Sequence, residues 1–120
     1  MTRVLVIEDE RDSAWVIASL LEHYDIEVEV ARNGRAGLDR LADFLPDVVI
    51  TDLAMPEVDG WSVLKTIRSN PETASMPVIA TTAFHSPSVQ RDALEAGFTA
   101  YYPKPIDADM LVAEIETMVG

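Results

Sequence analysis

Five side chains of this 120-residue chain could do chemistry together: Glu8, Asp9, Asp52, Thr82 and Lys104. Each lies at the end of a short apolar run. Glu8-Asp9-Glu10 closes Val4-Leu5-Val6-Ile7, and Asp52 closes Val48-Val49-Ile50-Thr51. Thr81-Thr82-Ala83 follows Val78-Ile79-Ala80, and Lys104-Pro105 follows Thr99-Ala100-Tyr101-Tyr102. Carboxylates gathered in one crevice repel each other, and either protonation of one or a bound cation relieves the repulsion. A hard cation such as Mg²⁺ or Mn²⁺ suits carboxylate, carbonyl and water ligands, and its open positions can take phosphoryl oxygens. An aspartate can also act as a nucleophile and form an aspartyl phosphate. The transferring group spreads negative charge over its oxygens, so it needs positive charge and hydrogen-bond donors around them. Mg²⁺ would face one oxygen and Lys104 a second. The Thr82 hydroxyl and the Ala83 N–H would hold a third.

These residues converge only if the runs that carry them lie side by side. Three of the runs are β-branched and continuously apolar, as suits strands buried on both faces of a parallel sheet. Ile26-Glu27-Val28-Glu29-Val30 alternates instead, which predicts an edge strand with one face in water and two charges blunting it. Thr99–Tyr102 predicts the opposite edge. Between the strands lie helical patterns. Ala14, Ile17, Ala18 and Leu21 share one spacing, as do Leu38, Leu41, Ala42 and Leu45. Val63, Leu64 and Ile67 mark a shorter helix that Asn70-Pro71 should stop. Ser86-Pro87 reads as a cap followed by Pro at the first helical position, with Gly97 at the far end. Asp107 caps a last helix, with Ile106 and Leu111 as a staple around it. Five βα repeats predict an α/β fold: one doubly wound five-stranded parallel sheet, order 2-1-3-4-5, flavodoxin-like. In such sheets the site lies beyond the carboxyl ends of the strands.

Composition narrows the function. There are 9 Lys and Arg against 21 Asp and Glu, a net charge of −12, and this opposes direct binding to nucleic acid or an anionic membrane. The absence of Cys removes a disulfide framework, a thiol nucleophile and a Cys-type zinc site. No apolar run reaches the length of a membrane span or a signal-peptide core, so a cytoplasmic protein is expected. Residues 1–120 are expected to form one domain with no output domain.

Together, V-L-V-I-E-D-E at 4–10, T-D-L-A-M-P-E-V-D-G at 51–60, A-T-T-A at 80–83 and Y-Y-P-K-P at 101–105 resemble the CheY-like receiver domain of bacterial two-component response regulators. The resemblance runs from Val4 to about Val119. It implies a phosphorylation-dependent switch, not an enzyme acting on other substrates, that takes its phosphoryl group from a sensor histidine kinase or a histidine phosphotransfer protein. By the same resemblance Asp52 is the phosphoacceptor, and Asp9 binds Mg²⁺ with Glu8 close by or acting through a water. Ala54 lends the metal its backbone carbonyl, Lys104 contacts the phosphoryl group, and Lys104-Pro105 is cis. Thr82 is the switch hydroxyl, Tyr101 is the aromatic that rotates inward on activation, and the α4-β5-α5 face responds. The resemblance also makes Trp15 a candidate contact for the phosphodonor. Glu8 departs from the more usual Asp. The last helix is acidic, with no Lys or Arg after Lys104.

Other readings stand beside this one. An Asp-nucleophile phosphatase would want a second Asp two residues after the first, where this chain has Ala54. A flavin or nucleotide protein would want a phosphate-binding loop after the first strand, where Glu8-Asp9-Glu10 would repel phosphate without a metal. A degenerate receiver acting only as an interaction module would not need Asp9, Asp52, Thr82 and Lys104 together. Thr81 competes with Thr82, since alternation turns only one of the two toward the site. His23 and His85 have no metal-ligand spacing, and neither is assigned chemistry.

Overall fold

The computed structural model describes residues 1–119. Strands and helices alternate through the chain: β1 (Arg3–Ile7), α1 (Arg11–His23), β2 (Glu27–Ala31), α2 (Gly34–Phe44), β3 (Val48–Asp52), α3 (Gly60–Ser69), β4 (Val78–Thr82), α4 (Pro87–Ala96), β5 (Ala100–Pro103) and α5 (Ala108–Val119). The sheet is parallel with order β2-β1-β3-β4-β5, as the sequence predicts.

Alternation along the strands divides the core in two. Leu5, Ile7, Val49, Val78, Ala80 and Tyr101 point to one face, where they pack with Phe44 of α2, Val63, Leu64 and Ile67 of α3, and Ala93 of α4. Val4, Val6, Val48, Ile50, Ile79, Ala100 and Tyr102 point to the other, against Ile17 and Leu21 of α1 and Leu111, Val112 and Ile115 of α5. Every residue of β3 and β4 is buried, so these central runs need no polar face. Each fully buried Val, Leu or Ile favours this arrangement by about 1.5–3 kcal/mol over an exposed one.

The helix ends follow the chemistry of their caps. The Glu10 carboxylate accepts from Asp12 N and Ser13 N, and Asn33 accepts from Ala36 N. Asp59, Ser86 and Asp107 cap the later helices in the same way. Gly97 ends α4 at φ 115°, a conformation that glycine adopts without steric cost. The Arg68 guanidinium, at the end of α3, donates to the carbonyls of Ala74, Met76 and Gly97. It thereby ties the amino ends of β4 and β5 together.

One expectation is corrected in part. The fully buried residues of α2 are Gly34, Gly37 and Phe44; of the expected stripe, Leu38 and Leu41 pack half-buried against the core, and Ala42 and Leu45 do not. A Cβ on Gly37 would overlap the Ile7 side chain, so the glycine lets the helix lie directly on β1. That close approach turns Leu38 and Leu41 to the margin of the core, leaves Ala42 exposed, and leaves Leu45 outside the helix and 65% exposed. The edge strand β2 turns Glu27 to water beside Arg3, as expected. Glu29 is half-buried and paired with Arg40 of α2.

Candidate functional site

The sheet register brings the chemical residues together. Ile7 pairs with Thr51 and Asp52 with Thr81, so Glu8 and Asp9 emerge beside Asp52 where the strand order reverses. The ladder continues past the strands: Glu8 N donates to Ala31 O, Leu53 N to Thr81 O and Lys104 N to Thr82 O. These bonds fix the first residue of each loop.

Carboxylate oxygens of Glu8, Asp9 and Asp52 lie within 4.8 Å of one another. Glu8 is 1% exposed and Asp52 7%, while Asp9 is half-buried at the rim. Lys104 reaches in from the loop after β5. Its ammonium pairs with Glu8 Oε1 and stands 3.1 Å from Asp52 Oδ2. Glu8 Oε2 accepts from Glu10 N at 3.1 Å, and Asp52 Oδ1 from Ala54 N at 3.2 Å. Burial pushes the Glu8 carboxyl above its ordinary range, with the Lys104 hydrogen bond pulling the other way. Burial would lower Lys104, but Glu8 and Asp52 outweigh it and hold the ammonium above the usual lysine value. With all four groups ionised the cluster carries two more negative charges than positive. Three hard oxygen donors with that excess fit a divalent cation such as Mg²⁺.

Gly60 accounts for the D-G pair in the sequence. Its N–H donates to Leu53 O, and a Cβ there would overlap the backbone carbonyl of Asp52. Glycine therefore lets α3 begin directly against Asp52, with Asp59 as the cap.

The other expected residues lie on the loops around this crevice. Thr82 is 2% exposed, and its hydroxyl accepts from Phe84 N at 3.0 Å. The Thr81 hydroxyl instead faces Thr51 O at 3.5 Å, inside the sheet. Ala54 and Ala83 are both exposed at the mouth. Lys104-Pro105 is cis. Tyr101 is 9% exposed with its ring in the core, so this structure holds it inward already. Trp15 is 70% exposed on α1. Beside it, a groove of about 450 Å³ between α1 and α5 is lined by Val16, Ile17, Leu20, Pro105, Ile106 and Leu111.

Two contacts escaped the sequence reading. Arg32 Nη2 donates to Asp9 O at 3.0 Å, and His85 Nδ1 lies 2.8 Å from the Tyr101 hydroxyl. The strand order held a signal for both. Arg32 follows β2, the neighbour of β1, and His85 follows β4, the neighbour of β5.

Residues 4–116 match the response regulator receiver domain family. The chain is a response regulator receiver domain. This receiver is 38% identical over 111 residues to the regulatory protein AtoC of Escherichia coli, covering 92% of this chain and 24% of AtoC. It is 33% identical over 113 residues to an uncharacterized 14.6 kDa protein of Leptolyngbya boryana, covering 94% and 86%. Its identity to the polar-differentiation response regulator DivK of Brucella anthropi is 31% over 117 residues, covering 98% and 95%. The receiver thus spans most of two relatives and about a quarter of AtoC. Among solved structures, the receiver domain of Francisella response regulator 1452 superposes with a TM-score of 0.89 at 30% identity, covering 98% and 96%. A response regulator from Chloroflexus aurantiacus gives a TM-score of 0.92 at 28% identity, covering 98% and 97%. No helix of this receiver, among the described residues, is long and apolar enough to cross a membrane.

Proposed function

We propose that this receiver is a phosphorylation switch in which Asp52 accepts a phosphoryl group from a phosphohistidine of a sensor histidine kinase or a histidine phosphotransfer protein. The supporting observation is the single cluster of Glu8, Asp9, Asp52 and Lys104 at the point where the strand order reverses. An Asp52 carboxylate oxygen attacks phosphorus, the P–N bond breaks, and the imidazole leaves with the bonding pair and takes up a proton. Lys104, already at Asp52 Oδ2, offsets charge on one phosphoryl oxygen. The Ala83 N–H and the Thr82 hydroxyl serve another, and the hydroxyl must first leave Phe84 N. A bound Mg²⁺ or Mn²⁺, held by Asp9, Asp52 and the Ala54 carbonyl with Glu8 directly or through a water, would supply the remaining positive charge.

Residues 1–120 act as one phosphoacceptor unit in this reading, and its catalysis is confined to its own phosphotransfer and dephosphorylation. The α1–α5 groove, with Trp15 and Val16 exposed beside it and Lys104 at its end, receives the phosphodonor. The response is read at the face of α4, β5 and α5 by a protein partner, not by nucleic acid or membrane, and the unit works in the cytoplasm.

Intact-mass spectrometry after treatment with acetyl phosphate and Mg²⁺ tests the reading. One added phosphoryl group is expected, lost in Asp52→Asn and greatly reduced by EDTA. Equal labelling of Asp52→Asn would overturn the assignment.

A further inference from the structure

The loop between β4 and α4 is short, and a side-chain hydrogen bond ties it at each end. Thr82 closes the strand and Ser86 caps the helix, so residues 83–85 span the gap. At the strand end, Phe84 N donates to Thr82 Oγ1 at 3.0 Å. At the helix end, His85 Nδ1 meets the Tyr101 hydroxyl at 2.8 Å, with the ring centroids 5.5 Å apart and the rings tilted by 48°. Tyr101 stands on β5 opposite Ala80 and is buried, while His85 is exposed. The phenol is buried and also meets the Ser86 backbone N–H, and the second hydrogen bond, to His85, favours the inward ring over one turned to solvent.

We propose that His85 is a positioning residue for Tyr101: it latches the ring inward and makes the β4–α4 loop and β5 move as one body. The bond can run in either direction, from the phenol to a bare Nδ1 or from Nδ1–H to the phenol oxygen. The latch acts before any phosphoryl group is present, so it does not depend on the phosphorylation reading. Its consequence does rest on that reading. When the Thr82 hydroxyl turns toward a phosphoryl group it releases Phe84 N, and a three-residue loop cannot absorb the shift alone. His85 passes the displacement to Tyr101 and so to β5.

The test is side-chain NMR of Tyr101 in wild type, His85→Ala, His85→Asn and Tyr101→Phe, first without and then with beryllofluoride. Without the mimic, wild type should hold one χ1 rotamer. His85→Ala should shift the inward–outward equilibrium about fivefold toward outward, the scale of one net hydrogen bond. His85→Asn, whose amide can reach the place of Nδ1, should restore the inward ring. Melting temperature should fall by no more than a few degrees across the His85 variants, the scale of one net hydrogen bond. In a Tyr101→Phe background, His85→Ala should produce no further shift in the ring equilibrium. An unchanged Tyr101 rotamer in His85→Ala would overturn the latch. With beryllofluoride, His85→Ala should keep the shifts at Asp52 and Thr82 and lose at least half of those in β5. Full β5 shifts in that variant would overturn the transmission step. Failure of wild type to bind beryllofluoride, with the rotamer shift still observed, would leave the latch supported and overturn only the phosphoryl reading.

Discussion

Lys104 stands 3.1 Å from Asp52 Oδ2 while its ammonium also pairs with Glu8, so one cation holds two buried carboxylates in place. The Glu8 side chain is 1% exposed, that of Asp52 10% and that of Lys104 16%, which leaves water little room to screen the loss of this charge. Lys104→Met should therefore destabilise the metal-free protein by about 1–3 kcal/mol. It should also make stability depend more steeply on Mg²⁺, because three carboxylates then face each other with no ammonium between them. Urea unfolding in EDTA and in Mg²⁺ checks both, and identical Mg²⁺ responses in wild type and variant would count against the argument.

Metal binding itself should be visible in stability. A ligand taken only by the folded state adds about 2.7 kcal/mol at a hundredfold excess over Kd. Melting temperature should rise with Mg²⁺ in wild type and much less in Asp9→Ala. Chelation should reverse the rise. An equal rise in both proteins would remove Asp9 from the binding site.

Ala54 bears on how long a phosphoryl group would survive. Its N–H holds Asp52 Oδ1 and its side chain is exposed, so residue 54 overhangs the acceptor without a polar group to align a water. Ala54→Glu should speed hydrolysis of the phosphorylated protein about tenfold, equivalent to about 1.4 kcal/mol of barrier. Phe84→Ala should do less, since that ring is already 75% exposed. Decay followed by intact mass decides, and an unchanged rate in Ala54→Glu would show that residue 54 does not set the lifetime.

Gly60 ties fold to site. With a Cβ aimed at the Asp52 carbonyl, Gly60→Ala must push α3 away from β3, at a cost of about 1–3 kcal/mol. Thermal unfolding should show the loss, and phosphoryl uptake should fall with it because Asp52 is displaced. A variant with wild-type stability would mean that the helix start yields more easily than the contact implies.

The parallel sheet was legible because β1, β3 and β4 are continuously apolar and each ends abruptly in a polar residue. The edge position of β2 was legible from its alternation. The buried face of α2 was legible only at Leu38 and Leu41, because glycines carry its centre: apolar spacing counts side chains, and Gly34 and Gly37 contribute by having none. Within the site, Glu8, Asp9, Asp52 and Lys104 were each visible as strand-end residues. The pairing of Lys104 with Glu8 as well as Asp52 was not, since it depends on Glu8 folding back under the loop so that Glu10 N meets its Oε2. His85 was passed over because a lone histidine carries no spacing, and its partner lies on a different strand.

Tyr102 offers a pH-dependent check on α5. Its hydroxyl pairs with Glu114, and burial, with Glu114 adding to it, pushes the phenol well above its ordinary value. A folded-state pKa raised in this way contributes stability that is full below about pH 10, the unfolded value, and is lost as pH rises through the folded one. Wild type should lose stability more steeply above pH 10 than Tyr102→Phe. Urea midpoints at pH 9 and 11 provide the measurement, and parallel losses would separate Tyr102 from the effect.

Arg68 gives the molecule a stiff end and a compliant end. Its guanidinium is bound by the carbonyls of Ala74, Met76 and Gly97 and lies near the Thr99 hydroxyl, all neutral oxygens. Ionic strength has little purchase on such a clamp, because no opposing charge is there to be screened. At the opposite end of the sheet, the crevice is held by the ionised groups of Glu8, Asp52 and Lys104. The amino ends of β4 and β5 are therefore held by contacts that salt does not weaken, whereas the contacts beyond their carboxyl ends are ones that it does.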